Sequence, residues 1–510
     1  MKRFVTLALV GALVLGASSF VYANVCAFDV APAATILFPF VTLDYDNALT
    51  GGVTTTFSIT NVSAEAQIVH VTLWSDFSSA VLDFNILLTG YDVIAMNIKD
   101  ILVGGQLPIT LWEAHSADPE VEGVFPNGPV SPTNQIGNGS WLTGLMDDPQ
   151  PTNALGDRCS PTGPNGGSYP GLYVTKIPAS YLSLFKDYLQ ASQTADKWHS
   201  DLCEQDYSDD FYELEPTPYW VARDTTYPTN MYITVDVVTN CNKQFPDQLS
   251  YWQGEARYDN VLMGDVLYTS DADNLSEALN GVHLEASMYL GNVATTDPSS
   301  GQPISFYHRY TADVLDTVSD YREPLPTAWA FRYLGAGVPS IGTDVRVFKG
   351  STDYYWTYDL ERGDPLFQPD DLYASNCHAY TYYAWDEDEI VTTTTTLPWS
   401  GGGGEDVIPN LIPLETQSIP VDQFDTPGAF GWMLFVWPAS NYPADLAGTE
   451  FDDYYQTWMS VRYQAYDKWS AALDGAVMAN FNCFSDQILP NIGVNYQYVD
   501  EFGYVISPGN

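Results

Sequence analysis

"TTTFSITNVSAEAQIVHVTLWSDF", residues 54–77, decides the fold. Phe57 and Ile59 alternate with Ser58 and Thr60, and Asn61 to Ala64 form a polar break. Val69, Val71 and Leu73 then fall on one side of an extended chain, with His70 and Thr72 on the other. Apolar residues at every second position mark a half-buried strand, because successive strand side chains point to opposite faces. Two such runs joined by a short polar turn predict a hairpin or neighbouring strands. "VLDFNILLTGYDVIAMNI", residues 81–98, continues the pattern with Phe84, Ile86 and Leu88, then Ile94, Met96 and Ile98. Strands this closely spaced, broken by Asn, Gly and Asp turns, predict an antiparallel sandwich.

The same period returns downstream. Ile233, Val235 and Val237 alternate with Thr234 and Asp236, giving an inward and an outward face. Further strands are predicted at "VLMGDVLYT", at Val282 to Met288 and at Val345 to Val347. Trp329, Phe331 and Tyr333 share a face opposite Ala330 and Arg332. "AFGWMLFVWPAS", residues 429–440, is apolar on both faces and reads as a central strand. Residues 455–473 fit either period, and Met459, Val461 and Tyr463 favour a strand. In "AYTYYAWDEDEIVTTTTTLPWSGGGGED", residues 379–406, Thr381, Tyr383 and Trp385 continue a strand that the acids at 386–389 end. Thr392 to Thr396 and Gly401 to Gly404 then read as an exposed, flexible segment. An edge strand near Ile36 to Phe38 is a candidate for pairing with a neighbour's sheet.

The expected organisation begins with a secretory signal peptide over 1–23. Lys2 and Arg3 precede an apolar stretch from Phe4 to Ala17, and Val21-Tyr22-Ala23 is a small-x-small cleavage site. Cys26 lies near the cut, but Val25 before it is not the small residue that lipid attachment requires. No later apolar run is long enough for a helical membrane span. A first sandwich segment covers 24–103. An irregular Pro/Gly-rich insertion covers 104–230, with a short helix at 181–192 capped by Ser180, placing Leu182, Phe185 and Leu189 on one face. A second β-rich region covers 231–390, a Thr/Gly-rich linker or loop 391–420, and a C-terminal β-rich segment 421–510 completes a sandwich. The fold class is all-β: antiparallel, immunoglobulin-like sandwiches with long loop-rich insertions and one or two short helices.

The net charge is −46, from 18 Lys plus Arg against 64 Asp plus Glu. Such a field repels nucleic acid and anionic lipid, which removes both as partners. The six cysteines, Cys26, Cys159, Cys203, Cys241, Cys377 and Cys483, are far apart and show no CxxC spacing. In an exported chain they are candidates for up to three disulfides, whose pairing the sequence leaves open.

The series strand, "ITNVSAEAQ", strand, "LLTGYD", strand resembles immunoglobulin-like modules of bacterial exported and surface proteins, over residues 31–100. With "YITVDVVTNC", "REPLPTAWAFRYL" and "FGWMLFVWPASN", the wider chain is similar to uncharacterised large secreted bacterial proteins. The antibody-type Cys…Trp…Cys pattern is absent. The resemblance implies a sandwich and export, and no activity.

No GxSxG elbow, HExxH or HxH motif occurs, and Cys377 and His378 are neighbours that point to opposite strand faces. No cofactor is required by any motif. Calcium is the candidate ion, since it takes hard oxygen ligands: Asp271, Asp273 and Asn274 in "SDADN", Asp206, Asp209 and Asp210 in "DYSDD", and Asp44, Asp46 and Asn47 in "DYDN". The competing reading of each is an ordinary polar turn. Tyr354, Trp356 and Tyr358 share one face of "STDYYWTYDLE" and are candidate sugar-stacking rings, against the plainer reading that aromatics favour strands. An outer-membrane barrel is disfavoured by the long insertion and the cysteines. Two functions stay open: a non-enzymatic structural or adhesion protein at or outside the cell surface, whose partners are other extracellular proteins or itself, and a secreted glycan-binding or glycan-active protein.

Overall fold

The computed structural model describes residues 31–76, 80–107, 112–114, 177, 179–190, 228–239, 246, 251–286, 305–307, 322–323, 325–326, 328–350, 378–379, 381–388, 390–395, 411–412, 415–437, 456–465, 468–479, 498–499 and 505–506. Their main architecture is four open antiparallel sheets, facing each other in two pairs. No helix among the described residues is long and apolar enough to cross a membrane.

The first sheet contains β1 (Thr35–Leu43), β3 (Gln67–Ser75), β4 (Ala80–Leu88), β6 (Trp112–Ala114), β7 (Thr229–Val238) and β10 (Val282–Leu284), in the order β10-β1-β7-β3-β4-β6. It faces a sheet of β2 (Thr54–Asn61), β5 (Val93–Asn97), β8 (Leu262–Ser270) and β9 (Leu275–Asn280), in the order β5-β2-β8-β9. The core between them takes Phe38, Val71, Phe84 and Val235 from one sheet and Phe57, Ile59 and Val266 from the other. Each such fully buried side chain contributes roughly 1.5–3 kcal/mol of burial free energy. Strands from residues 35–114 thus pair with strands from 229–284, so elements far apart in the sequence share each sheet.

The second pair lies downstream. One sheet has β11 (Ala328–Leu334), β14 (Thr381–Asp386), β15 (Val391–Thr395), β18 (Phe430–Val436) and β21 (Ala476–Ala479), in the order β15-β14-β18-β11-β21. The other has β12 (Ile341–Gly350), β17 (Thr416–Pro420), β19 (Gln456–Ala465) and β20 (Trp469–Asp474), in the order β17-β12-β19-β20. Trp329, Phe331, Tyr382, Met433 and Phe435 meet Val345, Val347, Met459 and Val461 across this core. Two short pairs, β13 (His378–Ala379) with β16 (Leu411–Ile412) and β22 (Tyr498–Val499) with β23 (Val505–Ile506), lie outside these sheets. Strand β12 joins the two units: its Phe348 leaves the second core and packs edge-on against Tyr232 of β7 at 5.0 Å.

Several local expectations change. Ile98 does not extend β5; Asn97 Oδ1 accepts the Lys99 N–H at 2.9 Å and caps helix α1 (Ile98–Leu102) instead. Helix α2 (Ala179–Leu189) already includes Ser180, so Ser180 is not its cap. Among its described side chains Tyr181, Phe185 and Leu189 are buried, with Leu182 only partly covered. Strand β1 is not an edge: it lies between β10 and β7, and Ile36 to Phe38 are fully buried. The threonine run is not all linker. Val391–Thr395 turns back after the acids and pairs with β14, because β-branched residues fit a pleated ladder. Asp386, Glu387 and Asp388 lie at its hairpin turn, where Asp386 Oδ1 accepts the N–H groups of Asp388 and Ile390 at 2.9 and 2.8 Å.

Candidate functional site

Alternation assigned His70, Thr72, Thr234 and Asp236 to a solvent face. The structure buries that face. Register aligns Thr35, Asp236, His70 and Asn85 in one row across β1, β7, β3 and β4. The adjacent row holds Thr234, Thr72 and Asp83. None of these seven is more than 1% exposed. Among the described residues three pieces of chain lie over the stripe: the π-helical turn Tyr251–Glu255, Phe306–Tyr307, and Arg322.

Asp236 is the hub. Its Oδ1 lies 3.3 Å from Arg322 Nη2 and accepts the Thr35 hydroxyl, while Thr35 Oγ1 accepts Arg322 Nε–H. Its Oδ2 accepts the phenol hydroxyls of Tyr251 and Tyr307 at 2.7 and 2.9 Å. Burial, then the Asp236 charge, push both phenols well above their ordinary pKa, which keeps them protonated as donors. The Arg322 guanidinium is ringed by Trp252, Tyr258 and Tyr307, whose centroids lie 5.0, 4.9 and 5.4 Å away. A buried cation next to a carboxylate and π-faces recovers part of its lost hydration.

His70 continues the row. Its Nδ1 is 3.1 Å from Asn85 Oδ1 and its Nε2 is 3.4 Å from Asp83 Oδ2. Burial lowers its pKa to about 4, against the opposing effects of the Asn85 hydrogen bond and the Asp236 charge, so the ring is neutral at pH 7. Threonine, histidine and aspartate on one face are the ingredients of a nucleophile, base and orienting acid. Here Thr72 Oγ1 has no hydrogen-bond partner among the described residues, and all three side chains are sealed. The arrangement fastens a cover to a sheet.

A second buried tie joins the two units. Arg346 of β12 reaches Glu277 of β9 at 2.8 Å, with both side chains at most 4% exposed. Its guanidinium sits 4.3 Å from the Tyr268 ring centroid and 4.9 Å from that of Phe40. Tyr268 donates to Phe40 O at 2.7 Å, and burial raises its phenol pKa.

The predicted calcium residues occupy the turn between β8 and β9. Asp273 Oδ2 accepts the Ser270 hydroxyl at 2.7 Å, and Asn274 takes the left-handed φ of 50°. The "DYDN" loop lies alongside, since Ala272 N–H donates to Gly51 O at 2.9 Å. Within it Asp44 accepts from the backbone of Asp46 and Asn47 and from the Asn47 amide. These are polar turns that satisfy their own backbone. Among the described residues no three His, Cys, Asp or Glu side chains converge on a metal position. Tyr354, Trp356, Tyr358, Asp206, Asp209, Asp210, all six cysteines and the signal segment 1–23 lie outside the described residues.

Aromatics do gather elsewhere. Trp385 and Trp432, registered opposite each other on β14 and β18, stack at 3.9 Å and 7°. Tyr383 continues the stack at 5.7 Å. Arg332, in the same row on β11, is exposed and lies 4.0 Å from Glu387. The sequence singled out Tyr383 and Trp385 as strand residues and missed their alignment with Trp432, which only register between distant strands supplies. Arg322 and Tyr307 were missed for the same reason. A signal for the buried stripe did exist: Ile68 and Trp74 bracket His70 and Thr72 on the same strand face, and large apolar ends imply a covered middle. No family model, curated protein or solved structure matches this chain.

Proposed function

We propose that the chain is an exported, non-enzymatic structural or adhesion protein acting at or outside the cell surface. The observation that carries this reading is the sealed stripe. The chemically richest cluster among the described residues, His70 with Asp83, Asp236, Arg322 and two tyrosines, is spent on holding a cover against a sheet. Two sandwiches clamped by internal ion pairs make a stiff unit suited to presenting surfaces. The acidic exterior and the signal-like start fit a protein used outside the cytoplasm. Protease shaving of intact cells carrying the full-length tagged protein tests this. The expected result is loss of the tag without lysis; a tag protected until lysis overturns the surface version unless the protein is recovered in the medium.

The Trp385–Trp432 stack favours one second reading, glycan binding. Partly exposed Trp432 lies beside exposed Arg332, which would meet hydroxyl groups. A glycan array run with the wild type and Trp432→Ala separates the two. Signals lost in the variant support the second reading, and silence in both supports the first.

A further inference from the structure

We propose that β15 is a self-association edge: two copies of this chain join their five-stranded sheets by antiparallel pairing of Val391–Thr395. The inference rests on the structural reading above and names the partner as a second copy. Among the described residues β15 stands at the end of its sheet order, with β14 on one side. Natural edges are usually guarded by Lys, Pro, bulges or a covering group. At another edge, β17 ends in Pro420. At β5, the Asp92 carboxylate accepts the Val93 N–H at 2.9 Å and occupies that edge's first donor. β15 has neither device: all five of its residues are β-branched and uncharged, in a chain of net charge −46.

The ladder fixes the register. Asp386 N–H donates to Ile390 O at 3.0 Å, and pairing runs from Trp385 opposite Val391 to Thr381 opposite Thr395. Hydrogen-bonded positions alternate in an antiparallel pair. Thr392 and Thr394 therefore bond to β14, and the backbone N–H and C=O groups of Val391, Thr393 and Thr395 point away from it. A two-fold axis at Thr393 pairs Val391 with Thr395 of the second copy, and Thr393 with its own equivalent, so both edges are satisfied at once.

Charge selects this direction. Glu387 and Asp388 are exposed at one end of the hairpin only. Antiparallel pairing at ~3.4 Å per residue sets the two Ile390 positions about 20 Å apart, with the turn acids Glu387 and Asp388 beyond them, more than two Debye lengths at physiological salt. Parallel pairing would place them on adjacent strands, about 5 Å apart in the pairing direction. An uncharged strand with its acids at one end is thus complementary to a second copy running the other way.

The test uses the full chain. Sedimentation across a concentration series should show a monomer–dimer equilibrium. Thr393→Pro removes an N–H that β14 does not use, and proline is tolerated at such edge positions. It should leave the circular dichroism unchanged, and the Tm unchanged at concentrations where the wild type is also monomeric, and weaken dimerisation by about a hundredfold or more, close to 3 kcal/mol. Thr393→Cys should cross-link under mild oxidation, because a hydrogen-bonded pair holds its Cα atoms ~5.5 Å apart, within disulfide reach; Thr392→Cys should not. A wild type that stays monomeric overturns the proposal, as does a Thr393→Pro variant that dimerises normally. Slow amide exchange at Val391, Thr393 and Thr395 in a monomer would assign the edge to the chain's own residues, and also overturns it. These outcomes leave the surface localisation untouched, which protease shaving decides separately.

Discussion

Removing the Arg322 charge while keeping its bulk, with Arg322→Met, is the sharpest probe of the sealed stripe. Asp236 would keep three hydroxyl donors, from Thr35, Tyr251 and Tyr307, and lose its adjacent cation. Both side chains are 0% exposed, so solvent cannot screen the abandoned carboxylate. Breaking such a pair from one side costs about 3–5 kcal/mol. At roughly 2–4 °C per kcal/mol for a unit of this size, Tm should fall by roughly 6–20 °C. Urea unfolding followed by tryptophan fluorescence is the assay; Trp252, 5.0 Å from the guanidinium, is one of the 14 tryptophans that contribute to the signal.

The double variant Asp236→Asn/Arg322→Met makes the reasoning falsifiable. The new amide oxygen can accept both phenols, and its NH2 can donate to Thr35 Oγ1; the Thr35 hydroxyl hydrogen loses its former acceptor, but no buried charge is left. Each single change leaves one buried charge alone; the double change leaves none. The double variant should therefore recover at least half of the loss, with a coupling of about 2 kcal/mol or more. An Arg322→Met cost below about 1 kcal/mol, or two single costs that simply add, would refute the claim that a buried ion pair holds the cover.

Further expectations follow from other sites. His70 has a folded pKa of about 4 against 6.5 unfolded, so the unfolded chain binds the extra proton between those values. Stability should be full above pH 6.5 and fall by about 3 kcal/mol as pH drops toward 4; His70→Asn should flatten that part of the profile. Gly431→Ala should cost about 3 kcal/mol or more, since its Cβ would lie 1.8 Å from Trp385 O and 2.7 Å from Tyr333 Oη, and a backbone carbonyl in a ladder cannot step aside. Arg346→Met should cost about 3–5 kcal/mol in calorimetry and separate the melting of the two units, because Glu277 would be left buried without its partner.

Strand content was largely legible because it depends on local alternation. Phe57 and Ile59 are buried while Ser58 and Thr60 are partly open, and Trp329, Phe331 and Tyr333 share a buried face. Residues 456–465, where two periods competed, form a strand because a ten-residue register with β12 rewards extension. What alternation could not supply is the occupant of the second face. His70 and Asp236 are polar, and polarity in a strand reads as exposure unless a distant segment brings compensating donors. Those donors come from Tyr251, Tyr307 and Arg322, up to 86 residues beyond Asp236. The threonine run misled for a related reason: a hydroxyl suggests solvent, whereas the branched Cβ favours a ladder, and the Asp386 turn decides between them.

The distribution of cations ties the stripe to the edge. With 18 Lys plus Arg against 64 acids, each cation withdrawn together with an acid leaves the excess of 46 negative charges in place with fewer cations at the surface to offset it locally. Arg322 and Arg346 are both withdrawn, and Arg462 is partly buried against Asp344. These arginines fix a cover, join two units and brace β12 to β19, using the fork geometry and π-stacking that lysine lacks. The exterior they leave behind repels other copies at long range. Contact between copies is then cheapest where a strand carries no charge and its flanking acids point away from their equivalents, and among the described edges β15 meets both conditions. Raising the salt concentration should therefore strengthen association through β15, whereas an interface built on salt bridges would weaken. A dimer that dissociates as salt rises from 0.05 to about 0.5 M would place the contact on charged surface instead.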